Sequence, residues 1–338
     1  NICRALRMAE EEFTPSLSSP SAAPSSSSNS SQIEYAIRSL SSFLDISLLH
    51  VPQITPYALL NDSRIYDQIS SLLHQPDSGM GDNNVCRWFY DTFQSSVHEL
   101  QLFFLRFIPI ICGLYLTRLH LKKPLAGFEA VLLAIYAHET ASRGGQSVTL
   151  NIAAISDSNI YHDPKDFQRN APANKMNSTE MKLAVVSPPL EPHRTMKSTK
   201  RARIVGVVLE LFYKNVTLMP TESKVEFCNF VALWTGKNDD TGCEEVRNQK
   251  SGRICLPWEL LQPVLRILGH CLIGPNADKE GKQYLAAFAA CKCLHDRALQ
   301  EMNPNIILAL RSLLRLGDIG VEIDYTEIPM AESVIITS

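Results

Sequence analysis

The sequence has no Cys-x-x-Cys pair, no glycine-rich phosphate loop, no Walker-type lysine motif, no kinase Asp-Phe-Gly or His-Arg-Asp set, and no zinc-binding helix motif. Each missing pattern removes a class: nucleotide-using enzymes of the common kinds, thiol oxidoreductases, zinc proteases and zinc modules. It also lacks a charge excess, with 32 basic residues against 35 acidic ones and a net charge of −3. No global attraction to nucleic acid or anionic lipid follows from that balance, so any such contact has to come from a local patch. A long uncharged apolar run is absent too. The charge-free stretch Phe107–Leu116 is ten residues, bracketed by Arg106 and Arg118, against about 20 needed to cross the hydrocarbon. A buried helix is the expectation there. Nine cysteines at irregular spacing, with Cys112, Cys228 and Cys271 inside apolar helical stretches, point to small buried hydrophobes in a reducing, cytosolic compartment. The Asn-x-Ser/Thr matches at Asn29, Asn61, Asn177 and Asn215 then read as chance.

What is present is helix. An apolar fraction of 45% over 338 residues supports a substantial core in one large domain or two. Asn1–Arg7 reads as sequence upstream of a more natural start at Met8, and residues 1–31 read as a disordered Ser/Pro-rich tail. Ser31-x-x-Glu34 has the pattern of a capping box, opening a helix with Ile33, Ile37, Leu40 and Leu44 on one face. A second helix carries Ile65, Ile69, Leu72 and Leu73. Residues 76–84 form a loop, and helix resumes from Cys86 to about His120 in two segments, with Pro109 inside the second as a kink or accommodated by a neighbour. Phe128, Val131, Leu132, Ile135 and Tyr136 make the cleanest amphipathic stripe, ended by Gly144-Gly145. Residues 147–155 have strand character in a run too short to make a sheet alone, and 157–200 reads as a long irregular connection between helical halves. The second half predicts a helix over 204–216, another capped by Ser223-x-x-Glu226, and a near-heptad stripe of Trp258, Leu261, Leu265, Leu268 and Leu272. Another follows over 279–299. The last is opened by Asn303-Pro304 and stopped by Gly317. The fold class is all-α: packed helical hairpins in one large domain over 32–327 or in two closely packed helical halves, followed by a short tail over 328–338.

Three constellations carry residue types capable of chemistry. Cys291-x-Cys293-x-His295 puts Cys291 and His295 on one helix face with Cys293 nearly opposite, and no second ligand pair closes a tetrahedral site. Tyr161-His162-Asp163-Pro164 contains an adjacent His and Asp but no nucleophile motif, and reads as a proline-fixed turn. Arg194, Lys197, Lys200, Arg201 and Arg203 form the densest basic run, a surface for anionic lipid or an acidic partner, or a solvated helix start. No catalytic, cofactor-binding or metal-binding residue is assigned, no cofactor is expected, and the chain is read as a non-enzyme.

Leu100, Phe103, Leu105, Phe107, Pro109, Tyr115 and Leu116 in the apolar stretch carry a likeness, with Glu129, Ala130, Leu132, Leu133, Tyr136 and Glu139 in the next helix. Together with the Tyr161–Pro164 tetrad and Met219-Pro220 they resemble the hyccin family in order and spacing, over roughly 82–327. The tetrad has Asp where the family has Glu. The Ser-rich head has no counterpart, the 165–201 connection is long, and the end soon after the last helix points to a plant-type member.

The resemblance implies an all-helical, non-catalytic subunit that scaffolds and stabilises a phosphatidylinositol 4-kinase complex, supporting phosphatidylinositol 4-phosphate production. Its implied partners are a tetratricopeptide-repeat scaffold subunit, the type III alpha phosphatidylinositol 4-kinase and a lipid-anchored recruiter. The implied location is the cytosol and the cytoplasmic face of the plasma membrane, by peripheral contact through the complex. Phe103, Phe107, Ile110, Ile111 and Leu114 are the expected partner-facing apolar residues, because a helix apolar on several sides needs protein on several sides. The rival reading is a helical interaction adaptor, nuclear or associated with nucleic acid through 194–203, although no nucleic acid is expected as a partner.

Overall fold

Short polar side chains fix where the first helices begin. In the computed structural model, Asp62 Oδ1 accepts from the backbone N–H of Arg64 at 2.8 Å and of Ile65 at 3.4 Å, opening the helix Ser63–His74. Asn83 Oδ1 does the same for Val85 at 3.0 Å and Cys86 at 3.1 Å, opening Asn84–Gln94. Such caps satisfy N–H groups that have no partner inside the helix. The structure describes residues 26–44, 56–95, 97–119, 124–153, 181–235, 257–274 and 281–319.

Among the described residues, α1 is Ser26–Leu40, α2 Pro56–Asn61, α3 Ser63–His74, α4 Asn84–Gln94, α5 His98–Leu105, α6 Ile108–Arg118 and α7 Ala126–Ser142. Strands β1, Val148–Ala153, and β2, Met181–Ser187, come next. They are followed by α8 Arg201–Lys214, α9 Thr221–Thr235, α10 Trp258–Ile273, α11 Lys282–Gln300 and α12 Pro304–Ile319. The protein is all-α, with one small two-stranded sheet among the described residues. The chain divides into two compact units, Asn1–Ala137 with His193–Val321, and His138–Pro192 with Glu322–Ser338. The larger unit therefore takes helices from both sides of the stretch expected to separate two helical halves.

Within the larger unit, α9 lies along α11 and α6, α8 against α10, and α11 against α12. Contact between α6 and α9 makes one interior of the early and late helices. A Cβ at Gly206 on α8 would run into the Glu259 carbonyl oxygen of α10, so only glycine lets these backbones approach so closely. The early half is aromatic-rich. Phe89 sits 5.2 Å from Phe104 and 5.5 Å from Phe107 by ring centroids, and Phe107 stacks on Tyr66 at 5.5 Å. Such pairs add about 0.5–1.5 kcal/mol each beyond area burial.

Three buried arginines serve helix C-termini, where carbonyls lack partners and the helix dipole favours positive charge. Arg106 donates to Leu60 O at 2.7 Å and Asp62 O at 2.9 Å, closing α2. Arg118 donates to His74 O, Gln75 O and Ser78 O at 3.2, 2.9 and 2.8 Å, closing α3. Arg297 reaches Thr235 O, at the end of α9, at 3.4 Å.

Several expectations change. The helix expected to open at Ser31 already runs from Ser26, so the last residues assigned to a disordered tail are helical; serine lies only modestly below alanine in helix propensity. Pro109 neither kinks nor interrupts a helix. It lies in the first turn of α6, where a missing N–H costs nothing, and the expected single segment is two helices bent by 45°. Ser223 does not cap α9, which begins at Thr221; its hydroxyl donates to Arg106 O at 2.7 Å. Gly317 lies inside α12 rather than ending it. On α10 the buried set is Leu260, Leu261, Pro263, Val264, Ile267, Leu268, Cys271 and Leu272, while Trp258 is 46% exposed. That is the broad stripe of a globular helix rather than a heptad seam.

In the smaller unit, β1 pairs antiparallel with β2, Thr149 opposite Val185 and Asn151 opposite Leu183, with an irregularity between Val148 and Thr149. The apolar patch at 183–186, expected to be irregular, is the strand that β1 needed. Glu139 and Arg143 pair at 2.9 Å, and Arg143 Nη1 donates to Ser187 Oγ at 2.9 Å. The expectations for residues 1–25, the Tyr161–Pro164 tetrad, most of the 157–200 connection and the tail after 319 lie outside the described residues.

Candidate functional site

The residues of the basic run divide at the start of α8. Arg194, Lys197 and Lys200 are exposed. Arg201 and Arg203 are half-buried and turn to partners within the chain. Arg201 Nε donates to Tyr115 Oη at 2.7 Å, with its guanidinium 5.8 Å from the Tyr115 ring centroid. Tyr115 Oη donates in turn to Glu129 Oε1 at 3.2 Å. Arg203 Nη1 lies 3.9 Å from Glu210 Oε1. Burial raises the Tyr115 hydroxyl above its ordinary range, as does the Glu129 carboxylate, while Arg201 opposes the shift. The hydroxyl therefore stays protonated and available to donate. Residues from α6, α7 and α8 are joined in one hydrogen-bonded chain, which holds the root of the basic segment to the body. α8 has no acidic residue in its first turn and no side-chain cap, so its N-terminal end adds to the positive field of the exposed three.

The apolar residues expected to face a partner are, but for Leu114, covered by the chain itself. Phe103, Phe107 and Ile111 are fully buried and Ile110 nearly so, with Leu114 half-buried. The break at Arg106-Phe107 gives α5 and α6 different directions, and each finds its own neighbours: α2 and α4 for α5, and α3, α8 and α9 for α6. The chain thus supplies the protein on several sides that the sequence pattern demanded. This bent pair is the one place among the described residues where two helices together have the length and composition of a membrane span; no single helix does.

The sulfur-bearing cluster is resolved differently from its sequence spacing. Cys291 is buried while Cys293 and His295 are half-buried, and no group of three His, Cys, Asp or Glu among the described residues is placed to hold a metal. Cys291 instead lies near Cys228 and Cys271, on three different helices, with the Cys228 and Cys271 thiols in contact. Lys224, also buried, faces Cys271 and His270, and burial lowers its ammonium pKa. Sequence spacing gave no hint of this grouping, because its members are brought together only by packing.

Burial pushes the thiols of Cys86 and Cys291 up to about 12. A thiol raised in the folded state stabilises it fully below the unfolded pKa of about 8.5, and that stability is lost as pH rises toward 12. Alkylation of Cys86 and Cys291 in the folded chain is therefore expected to stay slow between pH 7 and 9, read by mass spectrometry of iodoacetamide adducts. Denaturation should release both at once. Rapid labelling of either thiol in the native chain would contradict this burial.

By its fold this is an all-α protein whose internal ionic contacts close helix ends and tie helices together. The hyccin family model matches residues 53–337, and the chain belongs to the hyccin family. The match begins before the 82–327 likeness seen in the sequence and takes in α2 and α3.

Proposed function

We propose that this chain is a non-catalytic scaffolding and stabilising subunit of a phosphatidylinositol 4-kinase complex, supporting phosphatidylinositol 4-phosphate production at the plasma membrane. The hyccin match over 53–337 carries this reading. Its partners are a tetratricopeptide-repeat scaffold subunit, the type III alpha kinase and a lipid-anchored recruiter, with the chain in the cytosol and peripheral at the cytoplasmic face of the membrane. A preformed helical body suits such a role, because a partner then meets a surface that needs little ordering on binding. Affinity purification of the tagged chain from a membrane extract, with mass spectrometry of what accompanies it, tests the reading. Recovery of the kinase and a repeat scaffold is expected, and alkaline carbonate should strip the chain from membranes. Absence of both partners would overturn the proposal.

Arg194, Lys197 and Lys200 are the exposed part of the basic run. Changing Arg194, Lys197 and Lys200 to Glu, with Arg201 and Arg203 kept, is expected to weaken binding of the assembled complex to anionic vesicles by up to about a hundredfold, at about 1 kcal/mol per basic side chain. Scaffold binding should be intact. Loss of co-precipitation instead would place the run on an acidic protein surface, and no change in either assay would exclude it from both contacts.

A further inference from the structure

We propose that the corner between α11 and α12, together with the outer face of α12, docks an acidic amphipathic helix of another protein. α11 ends in a Schellman turn: the Met302 N–H donates to Leu299 O and the Asn303 N–H to Ala298 O, each at 3.1 Å. Met302 holds the left-handed position of that turn, at φ 54°, where glycine sits without strain. Its side chain is 83% exposed, so packing within the chain does not offset the strain. Leu299 and Leu308, on either side of the corner, are exposed as well, Leu308 by 65%. A strained, exposed methionine among exposed leucines has the composition of a contact surface. α12 packs on α10 and α11 and buries Ile306 and Leu310. Leu308, Arg311, Arg315 and Leu316 follow at helical spacing on its exposed side. Neither arginine makes an ion pair among the described residues. Two arginines bracketed by two leucines match a helix with an apolar stripe and carboxylates beside it. A second copy of this chain would set Arg311 and Arg315, at the middle of α12, against their own copies across a two-fold axis. Two basic side chains hold a bilayer only weakly. A partner protein's acidic helix is the occupant that meets both the leucines and the charge. The proposal stands whether or not the chain joins a kinase complex.

Fluorescence anisotropy with the full chain and two designed helical peptides tests the surface. Both peptides carry a leucine stripe, flanked by glutamates in one and by lysines in the other. The glutamate peptide should bind and the lysine peptide should not. Arg311→Glu combined with Arg315→Glu should weaken the glutamate peptide by about tenfold or more and let the lysine peptide bind instead. Met302→Gly should weaken the glutamate peptide by about tenfold, while the chain melts at the same or a higher temperature because the turn relaxes. A photo-crosslinking residue in place of Leu308, in cells, should attach to a helical segment of another protein rich in Asp and Glu. Any one of four results overturns the proposal: binding of both peptides equally or of neither, unchanged affinity in either variant, a lower melting temperature for Met302→Gly, or a crosslinker that attaches only to lipid, to this chain or to nothing.

Discussion

Phe107→Ala is expected to lower the stability of the chain by about 3–5 kcal/mol, the range for removing a fully buried phenylalanine. Phe107 has no exposed surface and its ring touches those of Tyr66, Phe89 and Phe103, the last at 5.4 Å. It sits at the turn between α5 and α6, where neighbours from α3 and α4 converge, so little can move in to fill the space it leaves. Urea unfolding of the chain alone reads the effect as a fall in midpoint with an unchanged slope. The result also decides between the two readings of this residue. A core residue destabilises the unbound chain when truncated. A partner-facing residue leaves the unbound chain unchanged and weakens only the complex.

Arg106→Ala is expected to cost a similar amount, about 3–5 kcal/mol, for a different reason: it combines buried acceptors left unpaired, at about 1–3 kcal/mol each, with the space left behind. The side chain is fully buried, reaches two carbonyls at the end of α2, and lies 4.3 Å above the Tyr66 ring. Its Nη2 is 3.7 Å from Glu222, whose side chain is half in solvent. Burial lowers the guanidinium pKa, with Glu222 opposing. Alanine strands the Leu60 and Asp62 carbonyls and opens a cavity under Tyr66. Arg106→Met separates these two losses. It keeps most of the volume and removes the donors, so it should cost about 1–3 kcal/mol, the range for unsatisfied buried acceptors. Equal stability of the alanine variant and the unaltered chain would show that the carbonyls find other partners. A methionine variant as unstable as alanine would assign the loss to the charge rather than the space.

The local content of these elements was legible in the sequence, and their long-range use was not. Asn303-Pro304 opens α12 as its residue types predict, with Asn303 Oδ1 accepting from Ile306 N at 3.4 Å. The stripe from Phe128 to Tyr136 is buried at all five positions. Ser223 also fits a local pattern, yet its hydroxyl is taken by a carbonyl 117 positions away. The strand character at 147–155 was visible, but its partner is at 181–187, and nothing local to either segment announces pairing at that separation. The apolar run from Phe103 to Leu116 reads in the sequence as a proline-containing helix apolar on several sides, with more apolar surface than one internal helix face can bury. A turn at Arg106-Phe107 doubles the number of faces that can be covered. At the basic run, residue type was clear while direction was not: the Tyr115 hydroxyl that holds Arg201 lies 86 positions earlier.

Arg118 shows what charge alone fails to describe. Two nitrogens of one guanidinium span the carbonyls of His74, Gln75 and Ser78 together with the Ser78 hydroxyl, the last at 2.7 Å. A lysine here keeps the charge but brings a single ammonium with no planar fork. A scale that ranks substitutions by residue similarity would pass Arg118→Lys as harmless. For this chain, residue similarity and structural tolerance part ways at such positions, and variants at Arg106, Arg118 and Arg297 are better ranked by how many carbonyls each side chain holds: two, three and one.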